Sequence, residues 1–211
     1  MTYKAAIAGL HLGGGKAVII GDPKKLKNEA FFRTFGRFVD SLRGRYITAE
    51  DVNINVNDVD YIVKETDYVT GVRGKSGDPS PITAFGTYAG IKAAVAHKLG
   101  KKTLTGIKIA VQGCGAVGYY LCELLAKDGA QLFVTDIDDA KIRRCVEEFG
   151  AEACDPAKIH SLDVDVYAPC ALGAIINDAT IAEMKAPIIA GAANNQLADE
   201  QLHGKQLMDR S

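Results

Sequence analysis

The chain has 211 residues, 47% of them hydrophobic, and 25 basic against 26 acidic side chains for a net charge of −1. That length suits one large domain or two small ones with a sizeable core, and the balanced charge argues against nucleic acid or an anionic membrane as a partner. No apolar run reaches the ~18 residues of a membrane-spanning helix, and the start lacks the charged-then-apolar pattern of a signal peptide.

Residues 2–10 are small and apolar and read as the end of a buried helix; Gly13, Gly14, Gly15 and Lys16 follow, then a predicted strand over 17–20. Gly21-Asp22-Pro23 is a turn. Phe31, Phe35, Phe38 and Leu42 recur at helical spacing and predict an amphipathic helix over 27–42, ended by Gly44. Short strands are predicted at 46–48 and 68–69, with a helix over 57–65 that turns Val59, Ile62 and Val63 inward. Residues 70–81, TGVRGKSGDPSP, have no periodicity and read as a hinge between two domains, 1–78 and 79–211. Pro81 opens a long helix, in which Ile82, Phe85, Ala89, Ala93 and Ala96 recur at helical spacing, and Gly100 ends it.

From there strand and helix alternate. Strands are predicted at 107–111, 132–134, 151–154, 164–167 and 188–190. Helices are predicted where Val117, Leu121, Leu124 and Leu125 recur at helical spacing until Gly129, over 139–149, from Asp178 as cap to Met184, and from about Asp199. This alternation predicts an α/β fold with a parallel sheet covered on both faces. A dinucleotide-binding sheet of this kind has six strands; about five are counted, so the second domain is expected to be incomplete at its carboxyl end, and the chain to be a fragment at both ends.

The most informative stretch is KIAVQGCGAVGYYLCELLAKDGAQLFVTD, 108–136. Gly113, Gly115 and Gly118 form G-x-G-x-x-G between a strand and a helix. Gly113 permits the tight turn, Gly115 lets backbone approach a pyrophosphate, and Gly118 lets helix and strand pack closely. The helix start offers free N–H groups to phosphate. Asp136 ends the second strand 18 residues after Gly118, near the offset of the carboxylate that accepts ribose hydroxyls. A carboxylate there repels a 2′-phosphate, so NAD is expected rather than NADP.

Other candidates are less specific. Lys16 after three glycines is not a Walker A lysine, because Leu10 and Ala17 break that pattern. In an apolar cleft near Lys4, desolvation and like charge would lower its pKa from ~10.4 toward neutrality and make it a general base; a solvated turn lysine is equally compatible with the residues. Glu50-Asp51 closes a strand, where α/β folds place active groups, though a capping acid is the plainer reading. The runs 169–173 and 191–195 follow strands and would face the cofactor crevice; Asn194 or Asn195 could hold nicotinamide or substrate, and an Asn-rich turn is the plainer reading of each. The cysteines, Cys114, Cys122, Cys145, Cys154 and Cys170, are odd in number and lack C-x-x-C, which points to reduced thiols in a cytoplasmic protein. His11, His97, His160 and His203 are scattered without ligand spacing, so no metal is expected; His203, in a polar helix, is expected to be solvated.

Taken together, MTYKAAIAGLHLGGGKAVIIGDP, GRYITAEDVN, GDPSPITAFGTYAGIKAA, VQGCGAVG, YAPCALGAIIN and IAGAANNQL resemble the leucine/phenylalanine/valine dehydrogenase group of the glutamate-dehydrogenase superfamily, in order and over nearly the whole chain. The resemblance implies NAD-dependent oxidative deamination of an L-amino acid to a 2-oxo acid, ammonia and NADH, in a protein that is a homo-oligomer at full length. It implies that Lys4 binds the substrate carboxylate, that Lys16 activates water and polarises the developing carbonyl, and that Asp51 shuttles protons at the substrate nitrogen. Thr70, Thr83 and Asn195 would contact nicotinamide or substrate. Gly113, Cys114, Gly115, Ala116, Val117, Gly118, Tyr119 and Asp136 would hold the dinucleotide. Ala49 matches a small pocket-lining position, and alanine there leans toward a branched aliphatic substrate over an aromatic one such as phenylalanine or tryptophan. The resemblance also implies that 1–78 is a partial substrate domain that lacks part of the side-chain pocket, so a truncated, inactive NAD-binding module is a competing expectation. A 2-hydroxy-acid dehydrogenase would want a histidine–acid pair, and no histidine stands out for it.

Overall fold

The computed structural model describes residues 1–210 and divides the chain into two compact units, Met1–Pro79 and Ser80–Ser211. In the first unit, α1 (Thr2–Ile7) buries none of its residues, against the expectation of a buried helix end. Residues 17–20 form no strand, and Val18 and Ile20 are exposed. A strand exists only by pairing. Among the described residues of this unit the only bridge joins Thr48 to Val69, and it is all that forms of the two predicted strands at 46–48 and 68–69.

A short helix that the periodicity did not reveal, α2 (Pro23–Leu26), is capped by the Asp22 carboxylate, which accepts the Lys24 N–H. The next helix, α3 (Glu29–Ser41), begins where the Asn28 side chain accepts the Phe31 N–H at 2.9 Å. Its inward residues are Phe32, Gly36 and Val39, while Phe38 and Leu42 face outward. Gly36 decides this face. A Cβ there would lie 2.8 Å from the Ile62 carbonyl, so the glycine is where α4 (Val56–Ile62) crosses closest. Asn55 and Asp58 form a capping box at the start of α4. Phe32, Val59, Ile62 and Val69 make the core of this unit.

The second unit opens with α5 (Ser80–Leu99). Strands β1 (Lys108–Gln112), β2 (Gln131–Thr135), β3 (Glu152–Ala153), β4 (Val166–Pro169) and β5 (Ile188–Ile189) form one parallel sheet in the order β3-β2-β1-β4-β5. Helices α6 (Ala116–Lys127), α7 (Asp139–Phe149), α8 (Asp178–Glu183) and α9 (Glu200–Asp209), with a 3-10 turn at Ile159–Ser161, connect and cover it. The predicted α/β fold with a parallel sheet is present.

Side-chain alternation explains the two covered faces. Ile109, Val111, Leu132, Val134, Val166 and Ala168 join one core with residues of α5, α6 and α7. Ala110 and Tyr167 point the other way, into a core with Ile181 of α8 and, at its edge, Leu207 of α9. Three details differ from expectation. Strand β4 begins two residues later than predicted, because the register pairs Val166 with Ile109. Asn177, not Asp178, caps α8, accepting the Ala179 and Thr180 N–H groups. The buried face of α5 is Ser80, Ala84, Ile91 and Val95, while Ile82, Phe85, Ala89, Ala93 and Ala96 are exposed.

Candidate active site

The first unit gathers four of the predicted residues into one neighbourhood. The glycine run before Lys16 is squeezed: a Cβ on Gly14 would meet Thr2 at the start of α1, and one on Gly15 would lie 2.8 Å from the Tyr46 ring. That close passage leads the chain to Lys16, whose Nζ contacts Asp51 Oδ2. Asp51 Oδ1 accepts the Val52 N–H at 2.8 Å. Lys16 is therefore about half exposed against an acid, rather than enclosed in an apolar cleft beside a cation. Ala49 is exposed between the buried Thr48 and Asp51. Thr70 is tied to the same run, its N–H donating to the Thr48 carbonyl at 2.9 Å. Lys4 lies on α1 and is exposed.

Glu50, which the sequence offered only jointly with Asp51, is also a member of this cluster. One of its oxygens, Oε2, is sealed and has no hydrogen-bond partner. Burial, and then the charges of Asp78 and Asp58, raise its carboxyl above the ordinary carboxylate value. A Cβ on Gly71 would lie 3.2 Å from that of Glu50. The only signal in the sequence was its place beside Asp51.

In the second unit, three loops meet at the carboxyl ends of the strands. The glycine loop leaves β1 with the Gly113 N–H donating to the Thr135 carbonyl at 2.8 Å. Gly113 has φ +103°, and a Cβ there would lie 2.7 Å from the Ala171 nitrogen in the loop after β4. A Cβ on Gly118 would collide with the Gly113 carbonyl, whereas the space around Gly115 is open. The loop after β5 rests on the one after β4, with the Ala193 N–H 3.0 Å from the Pro169 carbonyl and the Ala174 N–H 2.6 Å from the Asn195 carbonyl. The strand order reverses direction from β1 between β2 and β4, which is where such sheets bind ligands.

These residues fit a dinucleotide. Helix α6 starts at Ala116 with Gly115 as its cap and no side chain accepting its first N–H groups, so Ala116, Val117 and Gly118 present free donors above open space. The Cys114 N–H donates to Asp136 Oδ2 at 2.7 Å, and Asp136 Oδ1 accepts the Asp138 N–H at 3.0 Å. The acid expected to bind ribose is thus fixed in place by the glycine loop itself. A cavity of about 480 Å³ opens beside it, lined by Asp136, Asp139, Ile142, Arg143, Ala153, Cys154 and Pro156; apart from Asp136, no spacing in the sequence marked these positions. Tyr119 turns away to α7, its hydroxyl bonding Glu148 and its ring lying 3.6 Å from Arg144. Thr83 is exposed on the first turns of α5.

The histidines lie outside these loops. His160 pairs with Glu183 at 3.0 Å. His203 is buried, against expectation, because its ring closes back on its own helix start: Nδ1 accepts the Asp199 N–H at 2.9 Å. No group of three or more metal-ligating side chains occurs among the described residues, and no helix among them is long and apolar enough to cross a membrane.

Residues 1–68 match the family model of the Glu/Leu/Phe/Val dehydrogenase dimerisation domain. The chain is 59% identical over 210 residues to a leucine dehydrogenase of Bacillus subtilis, a match that covers 98% of this chain and 57% of that protein. It resembles the crystal structure of L-tryptophan dehydrogenase from Nostoc punctiforme with a TM-score of 0.73 and 51% identity, over 99% of this chain and 60% of that one. A hetero-hexameric glutamate dehydrogenase from Thermus thermophilus, 23% identical, shares the fold with a TM-score of 0.74, over 100% of this chain and 57% of that one. The chain thus spans somewhat more than half the length of these relatives.

Proposed function

This chain belongs to the Glu/Leu/Phe/Val dehydrogenase family, and from that premise we propose that it is the greater part of an NAD-dependent amino-acid dehydrogenase. The reaction is oxidative deamination of a branched-chain, leucine-like L-amino acid to the 2-oxo acid and ammonia. The contact between Lys16 and Asp51 carries this reading, because deamination needs a proton-transferring pair.

The assigned roles follow the chemistry. Lys4 holds the substrate carboxylate. Asp51 takes a proton from the substrate ammonium, leaving the free amine that can give up hydride. When bound at the glycine loop, NAD supplies the hydride acceptor. Lys16 steers water onto the resulting iminium carbon and stabilises the oxyanion that becomes the carbonyl, and Asp51 returns a proton to the departing nitrogen. Asn195 and Thr83 orient the nicotinamide, Thr70 and Asn195 the substrate, and Ala49 lines the side-chain pocket. The free N–H groups of Ala116, Val117 and Gly118 cradle the pyrophosphate, and Asp136 receives the ribose hydroxyls. The match to a dimerisation domain supports a homo-oligomer for the full-length protein.

The identity to a tryptophan dehydrogenase favours a second reading, in which the side-chain pocket accepts aromatic amino acids. NADH formation followed over a panel of L-amino acids and 2-hydroxy acids tests both. Turnover of leucine, valine or isoleucine supports the first, turnover of tryptophan or phenylalanine supports the second, and turnover of 2-hydroxy acids alone overturns both. NAD binding with no turnover by this chain is the outcome of a truncated module. In an active protein, Lys16→Ala is expected to lower turnover by about 10²–10⁴-fold, the range of general acid–base catalysis, with NAD affinity unchanged; unaltered turnover would remove Lys16 from the mechanism.

A further inference from the structure

Asp136, the acid assigned to the ribose, has its charge already partly compensated. Its side chain is 9% exposed, and the Lys141 ammonium lies 3.9 Å from Oδ1. Each of its oxygens accepts a backbone N–H, one from Cys114 and one from Asp138. An ionised carboxylate has about four lone-pair sites, so room remains for ribose hydroxyls. The acids that follow are placed differently. Asp138 turns to α7 and caps it, accepting the Ala140 N–H at 3.0 Å, whereas Asp139 lines the cavity beside Asp136.

The same cavity holds a cation that the fold does not use. Arg143 lines it, on the face of α7 that also carries Asp139 and Ile142. Its neighbour Arg144 is bound to Glu148 at 3.0 Å. Arg143 makes no hydrogen bond or ion pair among the described residues, not even with Asp139 four positions before it. A free guanidinium suits phosphate, because its planar fork binds phosphate oxygens in pairs. In sheets of this kind, an arginine near the ribose-binding acid is what accommodates a 2′-phosphate.

We propose that Arg143, together with Lys141, is a specificity-determining residue that lets this chain bind NADP as well as NAD. Asp136 keeps NAD the better ligand, because its charge still repels a 2′-phosphate. Lys141 weakens that repulsion at its source, and Arg143 adds an attraction that only the 2′-phosphate uses. Asp139 opposes Arg143 from the same cavity, so two cations act against two acids where the sequence motif shows one acid alone. Both cations are exposed and Asp136 is nearly sealed. Salt therefore screens the pull of Lys141 and Arg143 on a phosphate more than it screens the contacts of Asp136. The proposal rests on the dinucleotide reading of the glycine loop given above.

Fluorescence titration of the full chain with NADH and with NADPH, at low and at high salt, tests it. At low salt NADPH is expected to bind within about tenfold of NADH, and the gap is expected to widen as salt is raised. Arg143→Ala should weaken NADPH by about tenfold or more, as the loss of a hydrogen bond to a charged group does, and NADH far less. Lys141→Ala should shift the ratio of the two affinities in the same direction. NADH binding by the variants shows that they fold. A wider gap between the two ligands in the parent chain, or an equal loss of both in Arg143→Ala, overturns the proposal and leaves the dinucleotide reading in place. Failure of the parent chain to bind either ligand overturns the dinucleotide reading, and the proposal with it.

Discussion

Glu50 and Asp51 are adjacent carboxylates in different surroundings. Asp51 is half exposed and faces the Lys16 ammonium. Glu50 has a sealed, unpartnered oxygen and two acids nearby, which raise its carboxyl above the ordinary value of 4.5, burial being the larger cause. A carboxyl whose folded pKa is raised binds its proton more tightly in the folded state. Its contribution to stability is complete below the unfolded value and is lost as pH rises through the folded one. The window therefore opens near pH 4.5 and extends upward. Glu50→Gln removes that titration, so the variant's urea midpoint should fall less than the parent's between about pH 4.5 and 7; parallel profiles would show that Glu50 does not titrate in this window. Nothing in the sequence separated Glu50 from Asp51, because the backbone packed against Glu50 includes that of Gly71, twenty-one positions away. Lys16 shows the same limit. The residues left its surroundings open, and the chain brought an acid against it from thirty-five positions on.

At the scale of elements, the helices after Pro79 were legible in extent and not always in face. Helix α7 was expected over 139–149 and runs Asp139–Phe149, because Asp138 caps it and Gly150 closes it with φ +67°. Helix α5 is apolar nearly all round, so helical spacing fits more than one stripe. The stripe expected inside holds the larger exposed side chains, Ile82 and Phe85. The buried stripe instead uses Ala84, Ile91 and Val95, which meet the sheet and α6. Ile91→Ala should therefore cost about 2–5 kcal/mol in urea unfolding through the cavity it leaves. Phe85→Ala should stay within about 0.5 kcal/mol, as exposed substitutions do. The reverse order would restore the face that spacing suggested. The predicted strand at 17–20 failed for a related reason: β-branched residues fit a strand, and only a neighbouring strand makes one.

Over the whole molecule the two units differ in how much they bury. The core of the first is Phe32, Val59, Ile62 and Val69, edged by partly exposed aromatics. The core of the second runs across both faces of a five-stranded sheet, with Ile91, Ile109, Val111, Leu121, Leu125 and Val166 sealed. Hydrogen exchange should follow that difference. Amides of β1 and β4 are expected to stay protected at urea concentrations where those of α3 and α4 already exchange. Equal protection throughout would mean that the two units unfold as one.

The sequence by itself determined the alternation of strands and helices in the second unit, the place of the glycine loop and the acid that ends the next strand. These depend on neighbours within a few turns, through periodicity, capping and the steric freedom of glycine. Its motifs also determined the family. Tertiary structure alone decided which stripe of each helix is inside, that Asp136 is held by the Cys114 amide, that Lys16 lies on Asp51, and that Cys114, Cys122 and Cys145 are buried in one core. Each of those depends on groups far apart in the chain, and only the folded packing sets which of them touch.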